Sequence, residues 1–206
     1  MNRMPRVRII STGTEILQGL YPDTNAQQLS RLLFENGYLA VSHAAVADDA
    51  AELADAIRNA IAHCHLIIIT GGLGPTEDDI NRDVIAGIYG ENLALNKQAK
   101  EMMRERFARR GFEMPERNVK QAMLPAGCLP LYNHWGTAPG FILPPRGDRP
   151  ALMALPGPPT ECFPMFRAAL NKELAELFPH RPARSVYTLH LAMIPESVAN
   201  EAISDL

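Results

Sequence analysis

The chain has 206 residues, of which 47% are hydrophobic, and its formal net charge at pH 7 is −3. This length and hydrophobic content predict one domain of ordinary size, or one domain and part of a second, and they exclude a disordered chain. No cluster of Lys and Arg residues offers a footprint for a phosphate backbone, so we expect no nucleic-acid partner.

Targeting signals and cysteine usage both indicate the cytoplasm. The apolar run at residues 7–10 is interrupted by Arg8 and is too short for a signal peptide or a membrane span. Cys64, Cys128 and Cys162 are far apart and form no C-x-x-C pair, which argues against a disulfide framework and against a zinc site. We therefore predict a cytoplasmic protein with no membrane partner, in which Cys162 is a small buried hydrophobe.

The first half of the chain alternates strands and helices. Short apolar runs predict strands, and apolar residues at helical spacing between capping residues and Gly stops predict helices. The predicted elements are a strand at 7–11, a helix between the caps at 23–25 and Gly37, a strand at 39–46, a helix after Asp48 and Asp49 that runs through Ile61, and a strand at 66–69.

This alternation predicts an α/β fold with three layers, in which helices cover both faces of a mostly parallel sheet. Ligands bind such sheets at the carboxyl ends of the strands. The loops that follow Ile10 and Ile69 should therefore meet at one edge of the sheet.

The second half of the chain is less regular. Its predicted elements are helices at 79–88 and 97–110, a turn-rich stretch at 131–150, a strand at 151–155 and a helix at 160–177. After the prolines at 179 and 182, a strand at 185–193 and a helix that begins at 196 predict a small partial β-α unit. That unit is too small to form a core of its own.

The strongest functional signal is the loop at residues 70–79, which follows the strand at 66–69. Gly71, Gly72 and Gly74 allow the backbone to approach a ligand and to direct N–H groups at it. The N-terminus of the helix that follows favours phosphate. The loop is neither a P-loop nor a dinucleotide-binding fingerprint, because it lacks the Lys-Ser/Thr pair of the first and the third glycine of the second.

Three acidic residues, Glu77, Asp78 and Asp79, end this loop. They would repel an anionic ligand unless a divalent cation lay between the carboxylates and the phosphate, and oxygen ligands suit Mg²⁺ or a similar ion. The alternative is a capping box, in which Thr76 is the N-cap and Asp79 reaches back from the N3 position. Both readings are compatible, since one acid can cap while its neighbour binds the metal.

Seven motifs together resemble the N-terminal domain of the CinA-like (competence/damage-inducible protein A) family. They are GTEILQG at 13–19, DTN at 23–25, ADD at 47–49, TGGLGPTEDD at 70–79, NVKQA at 118–122, GTAPGF at 136–141 and LPGPP at 155–159. The resemblance covers residues 5–178 and implies the fold of molybdopterin-binding proteins. The pattern of those proteins aligns onto Gly71, Gly72, Gly74 and Asp79, and a second acid aligns onto Asp48.

The resemblance implies a metal-dependent pyrophosphohydrolase that acts on nucleotides such as ADP-ribose. By analogy, it implies as alternatives a molybdopterin-binding or adenylyl-transferring protein of molybdenum-cofactor biosynthesis, and fold alone does not choose between them. A non-catalytic binding or oligomerisation domain is a third hypothesis. The expected partner is thus a phosphate-bearing small molecule, a nucleotide or a pterin, and the chain could form a homo-oligomer.

The residues expected to carry this chemistry come from several motifs. Asp79 and Asp48 are the candidate catalytic residues, and with Glu15 they are the candidate ligands of a divalent metal, Mg, Mn or Co. Asp48 could instead be the N-cap of the helix that follows it. The candidate substrate-binding residues are Gly71, Gly72, Gly74, Thr76, Asp78, Gly136, Thr137, Pro156 and Gly157.

The resemblance also bears on the domain boundaries. Family members continue into a linking domain and often into an amidohydrolase domain. Residues 1–178 are therefore expected to form the molybdopterin-binding-like domain, and residues 179–206 the truncated start of the linking domain. No amidase chemistry is expected of this chain.

Overall fold

The structure is a computed structural model that describes residues 3–182, 184, 186 and 192–202. Its centre is a six-stranded sheet with the strand order β2-β1-β3-β8-β7-β6. The strands of this sheet are β1 (Arg6–Thr12), β2 (Leu39–Val46), β3 (Leu66–Thr70), β6 (Leu129–Leu131), β7 (Gly140–Leu143) and β8 (Ala151–Leu155). Strands β2, β1, β3 and β8 are parallel neighbours, whereas β7 is antiparallel to both β8 and β6.

Helices pack on both faces of this sheet, α2, α6 and α7 on one face and α3 and α4 on the other. The helices of the described residues are α1 (Thr14–Leu17), α2 (Thr24–Glu35), α3 (Ala50–Ile61), α4 (Asn81–Tyr89), α5 (Lys97–Arg109), α6 (Pro159–Asn171), α7 (Glu173–Leu177) and α8 (Glu196–Ala202). A 3₁₀ helix (Glu116–Ala122) and a two-stranded sheet of β4 (Leu93–Leu95) and β5 (Met123–Pro125) lie beyond α4.

The core is divided by the sheet into two apolar layers. Ile68 of β3 packs on one side with Leu29 of α2 and Phe166 of α6. Its neighbours Ile67 and Ile69 point to the other side, towards α3 and α4. All of β3 is buried, as expected for a strand that is covered on both faces. The predicted three-layer fold with a mostly parallel sheet is therefore confirmed.

Two predictions for the second half need correction here, and a third cannot be compared with the described residues. The turn-rich stretch at 131–150 contains β7, whose four residues are fully buried beside β8. The predicted helix at 160–177 is divided into α6 and α7, because Lys172 leaves helical geometry with φ −128° and ψ −85°. The predicted strand at 185–193 lies largely outside the described residues, as do residues 203–206 of the last predicted helix.

The basic stretch of α5 forms ion pairs with its own acids. Arg104 lies 3.7 Å from Glu101, and Arg109 lies 3.8 Å from Glu105, and all four side chains are well exposed. These contacts are those of a solvated helix face with intrahelical ion pairs. None of the helices in the described part of the chain is both long and apolar enough to span a bilayer.

All three cysteines are free thiols, and Cys162 on α6 is fully buried. Burial raises the pKa of the Cys162 thiol from 9.0 to about 12. The thiol therefore ionises in the unfolded chain near pH 9 but keeps its proton in the folded chain. Stability that is fully present below pH 9 should fall as the pH rises towards 12.

Replacement of Cys162 by Ala should remove part of this alkaline loss of stability. The measurement is the free energy of unfolding in urea for both proteins at about pH 8 and about pH 10.5. The first pH lies below the pKa of the thiol in the unfolded chain, and the second lies between that pKa and the raised pKa in the folded chain. We expect a smaller difference between the two pH values in Cys162→Ala than in the unaltered chain. The same difference in both proteins would show that the Cys162 thiol does not contribute.

Candidate functional site

A cavity of about 420 Å³ opens at the carboxyl ends of β1, β3 and β8. Thr12 ends β1, Gly71 follows β3 and Pro156 follows β8, and all three line the cavity. The predicted meeting of the loops after β1 and β3 at one edge of the sheet is therefore confirmed. The volume lies within the range of about 300–1,000 Å³ that is typical of small-molecule sites.

The Gly-rich loop has a backbone that only glycine can adopt in this space. Gly71 has φ +99° and Gly72 has φ +57°, and a side chain at either position would collide with Thr12 or with Asn81. The amides of Gly72 and Leu73 donate no hydrogen bond to any described residue. Both residues line the cavity, so the loop offers backbone donors to an anionic ligand.

The loop does not run directly into a helix, which corrects the prediction of a helix start at 79. Helix α4 begins at Asn81, its N-cap position is Ile80, and it has no side-chain cap. The capping-box interpretation holds only in part: Asp79 accepts from the Thr76 amide as predicted, but no helix begins at Thr76. Asn81 and Arg82 are fully buried and do not line the cavity, so the amides available there belong to the loop and not to the helix N-terminus.

Asp79 holds the loop in its turn. Its Oδ1 accepts a hydrogen bond from the Gly74 amide at 2.7 Å. Its Oδ2 accepts from the amide of Thr76 at 2.8 Å and from the Thr76 hydroxyl at 2.5 Å. Lys120 supports the same turn from outside, since its Nζ donates to the Thr76 carbonyl at 2.9 Å. Both oxygens of Asp79 are thus committed to the protein.

Two buried residues for which the sequence predicted no role support the Gly-rich loop through side-chain hydrogen bonds. The amide of Asn81 donates to the Thr12 hydroxyl at 3.0 Å and to the Gly71 carbonyl at 2.8 Å. The guanidinium of Arg82 donates to the carbonyls of Leu73 at 2.6 Å and Gly74 at 2.7 Å. Desolvation by burial lowers the pKa of Arg82 to about 10, while Asp79 and Asp83 oppose that shift.

Replacement of Arg82 by Lys should loosen the loop. A Lys ammonium is a single point charge and cannot reproduce the planar fork that reaches both carbonyls. We expect a loss of about 1–2 kcal/mol in the free energy of unfolding, since one buried carbonyl loses its donor. Urea unfolding measures it, with Arg58→Lys on the exposed face of α3 as the control. An unaltered midpoint in Arg82→Lys would contradict this role.

Asp48 joins the loop after β2 to the loop after β1. Its Oδ2 accepts hydrogen bonds from the Thr14 amide at 3.0 Å and from the Thr14 hydroxyl at 3.1 Å. The N-cap of α3 is Asp49, which accepts from the amides of Ala51 and Glu52. The alternative reading of Asp48 as a helix cap is therefore wrong, and its Oδ1 accepts no hydrogen bond from a described residue.

Most of the predicted site residues are brought together by the fold. Those that line the cavity are Glu15, Asp48, Gly71, Gly72, Gly74, Asp78, Asp79, Thr137, Pro156 and Gly157. Two do not line it. The side chain of Thr76 is turned to Asp79, and Gly136 is buried beside Glu161, whose carboxylate would collide with any side chain at that position.

Glu161 and Gln121 line the cavity although the sequence analysis assigned them no role. Glu161 lies in the first turn of α6, and its Oε2 accepts from the side-chain amide of Asn133 at 2.7 Å. The Oε1 of Gln121 accepts from Asn118 at 3.1 Å, and its Nε2 donates to no described residue. The NVKQA motif marked Gln121, but no local pattern placed Glu161 at this edge of the sheet.

The cavity is acidic. Its lining includes the carboxylates of Glu15, Asp48, Asp78, Asp79 and Glu161, and no Lys, Arg or His of the described residues belongs to it. Among the described residues, no group of three His, Cys, Asp or Glu side chains is arranged to hold a metal ion. A metal at this cavity would thus need ligands from the bound molecule as well as from the protein.

The sequence and the fold are similar to those of known proteins. Residues 8–176 match the family described as "Probable molybdopterin binding domain". A CinA-like protein of Dictyoglomus turgidum is 37% identical over 203 residues, which are 98% of this chain and 48% of that protein. The chain spans about half the length of the curated relatives that it matches.

Solved structures show the same architecture. The structure of the protein CinA of Thermoplasma acidophilum, described as having unknown function, has 31% sequence identity and a TM-score of 0.73, and the match covers 81% of this chain and 97% of that one. The tungsten cofactor synthesizing protein MoaB of Pyrococcus furiosus has 17% identity and a TM-score of 0.58, with 87% and 98% covered. The second likeness concerns the fold alone.

These findings define an α/β domain with a cavity at the carboxyl ends of its parallel strands. The chain belongs to the family of molybdopterin-binding domains and, within it, to the CinA-like proteins.

Proposed function

We propose that this domain binds a phosphate-bearing nucleotide together with a divalent cation and hydrolyses its diphosphate bond, with ADP-ribose-like nucleotides as the substrate class. The observation that carries the proposal is the composition of the cavity. Within the part of the chain that the structure describes, it combines the unpaired amides of Gly72 and Leu73 with five carboxylates and no cationic side chain. Amides favour a phosphate and the carboxylates oppose it, and a divalent cation between them removes the conflict.

The carboxylates differ in what they can offer a cation. Glu15 and Asp78 make no side-chain hydrogen bond to any described residue, and Asp48 keeps its Oδ1 without a donor. Glu15 and Asp78 are the pair of side chains that would hold the metal, since Mg²⁺ commonly uses one or two carboxylates together with substrate phosphates. The free Oδ1 of Asp48 then stays available to accept a proton. When bound, the cation supplies charge neutralisation to the phosphate oxygens.

The protein residues would orient the diphosphate and handle the proton. The amides of Gly72 and Leu73, and the Nε2 of Gln121, donate to phosphate oxygens as negative charge increases during attack. A water oxygen attacks one phosphorus, the bond from that phosphorus to the bridging oxygen breaks, and the bridging oxygen leaves with the second phosphate. The proton of the attacking water goes to a carboxylate, for which Asp48 is our candidate. Asp79 acts by positioning the loop.

Product analysis tests the proposal directly. The purified chain is incubated with ADP-ribose, with and without Mg²⁺, Mn²⁺ or Co²⁺, and the release of AMP is followed. We expect release only with a metal, and its loss when a chelator is added. If ADP-ribose raises the melting temperature but no AMP is released with any metal, the domain binds nucleotides without hydrolysing them.

Binding of a pterin phosphate is the second candidate function. The family description, "Probable molybdopterin binding domain", favours it. This candidate requires saturable binding of a pterin phosphate without cleavage of a diphosphate, or adenylyl transfer to that pterin phosphate. A tight complex with ADP-ribose and no affinity for a pterin phosphate would exclude it.

A further inference from the structure

A second cavity, of about 450 Å³, adjoins the first. Glu15, Gly157 and Pro158 line both cavities, so the two are continuous along one wall. The two differ in chemistry: the first is lined by loop amides and carboxylates, whereas the second has a largely apolar lining. The apolar part of that lining is Ile16, Tyr21, Pro22, Pro158 and Pro159. We call the second cavity the ring pocket.

Side-chain hydrogen bonds hold the walls of the ring pocket in place. The Asn25 amide at the start of α2 donates to the Gly157 carbonyl at 2.7 Å and so ties α2 to the loop between the cavities. The Asp23 carboxylate is turned away to cap α2, where it accepts from the Ala26 amide at 2.9 Å. The prolines restrict the backbone of the opposite wall. The pocket is therefore largely preformed, and its ordering costs little on binding.

Tyr21 is the feature of the ring pocket that indicates its ligand. Its side chain is 66% exposed, and its ring makes no stacked or edge-on contact with another described aromatic ring. An exposed aromatic ring beside a rigid proline wall offers a face on which a flat heterocycle can stack. The adjacent cavity offers amides to a phosphate, so one molecule that carries both groups would fill the two cavities together.

We infer that the ring pocket binds the nucleobase of the substrate, stacked on Tyr21, while the phosphates lie over the Gly-rich loop. This inference rests on the proposed function and adds to it a basis for choosing nucleotides over simple diphosphates. Selectivity then comes from the apolar pocket and turnover from the polar one.

The test uses two non-hydrolysable ligands that differ only in the nucleoside: α,β-methylene-ADP and methylenediphosphonate. Calorimetric titrations in the presence of Mg²⁺ compare the unaltered chain with Tyr21→Ala, Tyr21→Phe and Leu20→Ala. Leu20 is the matched control, because it is 65% exposed and lines neither cavity. We expect Tyr21→Ala to weaken α,β-methylene-ADP by about tenfold or more, as for an aromatic that stacks on a base. Tyr21→Phe, Leu20→Ala and the binding of methylenediphosphonate should be unchanged.

The other outcomes separate the two proposals. If the unaltered chain binds both ligands and Tyr21→Ala behaves like Leu20→Ala, the ring pocket is overturned and the proposed function stands. Equal affinity of the unaltered chain for α,β-methylene-ADP and methylenediphosphonate would also overturn the ring pocket and leave the proposed function standing. If the unaltered chain binds neither ligand, the proposed function fails and the inference with it. Tighter binding of neopterin monophosphate that depends on Tyr21 would overturn the assignment to a nucleobase.

Discussion

Replacement of Asp48 by Asn should lower the metal-dependent release of AMP from ADP-ribose by about 10²-fold or more, the usual contribution of a positioned acid or base. The fold should survive, because Asp48 uses only one oxygen inside the protein. An Asn side chain can place its carbonyl oxygen where Oδ2 accepts from Thr14 and its amide where Oδ1 is free. The change thus removes the charge at the cavity and keeps the internal contacts.

Asp49→Asn is the matched control for this variant. Asp49 is the next residue, it caps α3, and it does not line the cavity. Asn is as good an N-cap as Asp, so both the stability and the turnover of Asp49→Asn should stay near those of the unaltered chain. Steady-state kinetics and urea unfolding are measured on both variants. Full turnover in Asp48→Asn would remove Asp48 from the proposed mechanism.

Replacement of Asp79 by Asn should lower the stability of the fold as well as the release of AMP, unlike Asp48→Asn. Here both carboxylate oxygens accept hydrogen bonds, from the Gly74 amide on one side and from the Thr76 amide and hydroxyl on the other. An Asn side chain must direct its NH₂ group at one of these donors. We expect a loss of about 2–3 kcal/mol in the free energy of unfolding, since charge-assisted bonds are lost and a donor is left unpaired. AMP release should fall as the loop loses its turn.

Glu77→Gln is the control for the loss at Asp79. Glu77 lies in the same turn and is exposed, and its side chain makes no hydrogen bond to a described residue. Its replacement removes one negative charge near the cavity without breaking an internal contact. Equal stability of Asp79→Asn and Glu77→Gln would show that Asp79 does not hold the loop. Asp79 would then return to the group of candidate metal ligands.

Local patterns were enough to predict the parallel part of the sheet. The apolar run at 66–69 is long enough for a strand and too short for a helix, and Thr70 and two glycines follow it. The helix between 23 and 37 has a cap and a stop within its own sequence, and both act as predicted. Strand β7 was missed because its four residues lie between Pro139 and the pair Pro144 and Pro145, and they gain their partners only from β6 and β8.

The sequence by itself determined the layers, the edge of the sheet that carries the cavity, and the loop that supplies its amides. Each of these depends on residues within a few positions of one another. Only the tertiary structure decided which acids are free and which are committed. Asp48 meets Thr14 across 34 positions, and Asn133 meets Glu161 across 28, so no local pattern reveals these pairs. The chemistry that a carboxylate can perform depends on which of its oxygens already accept a hydrogen bond, and folding alone sets those partners.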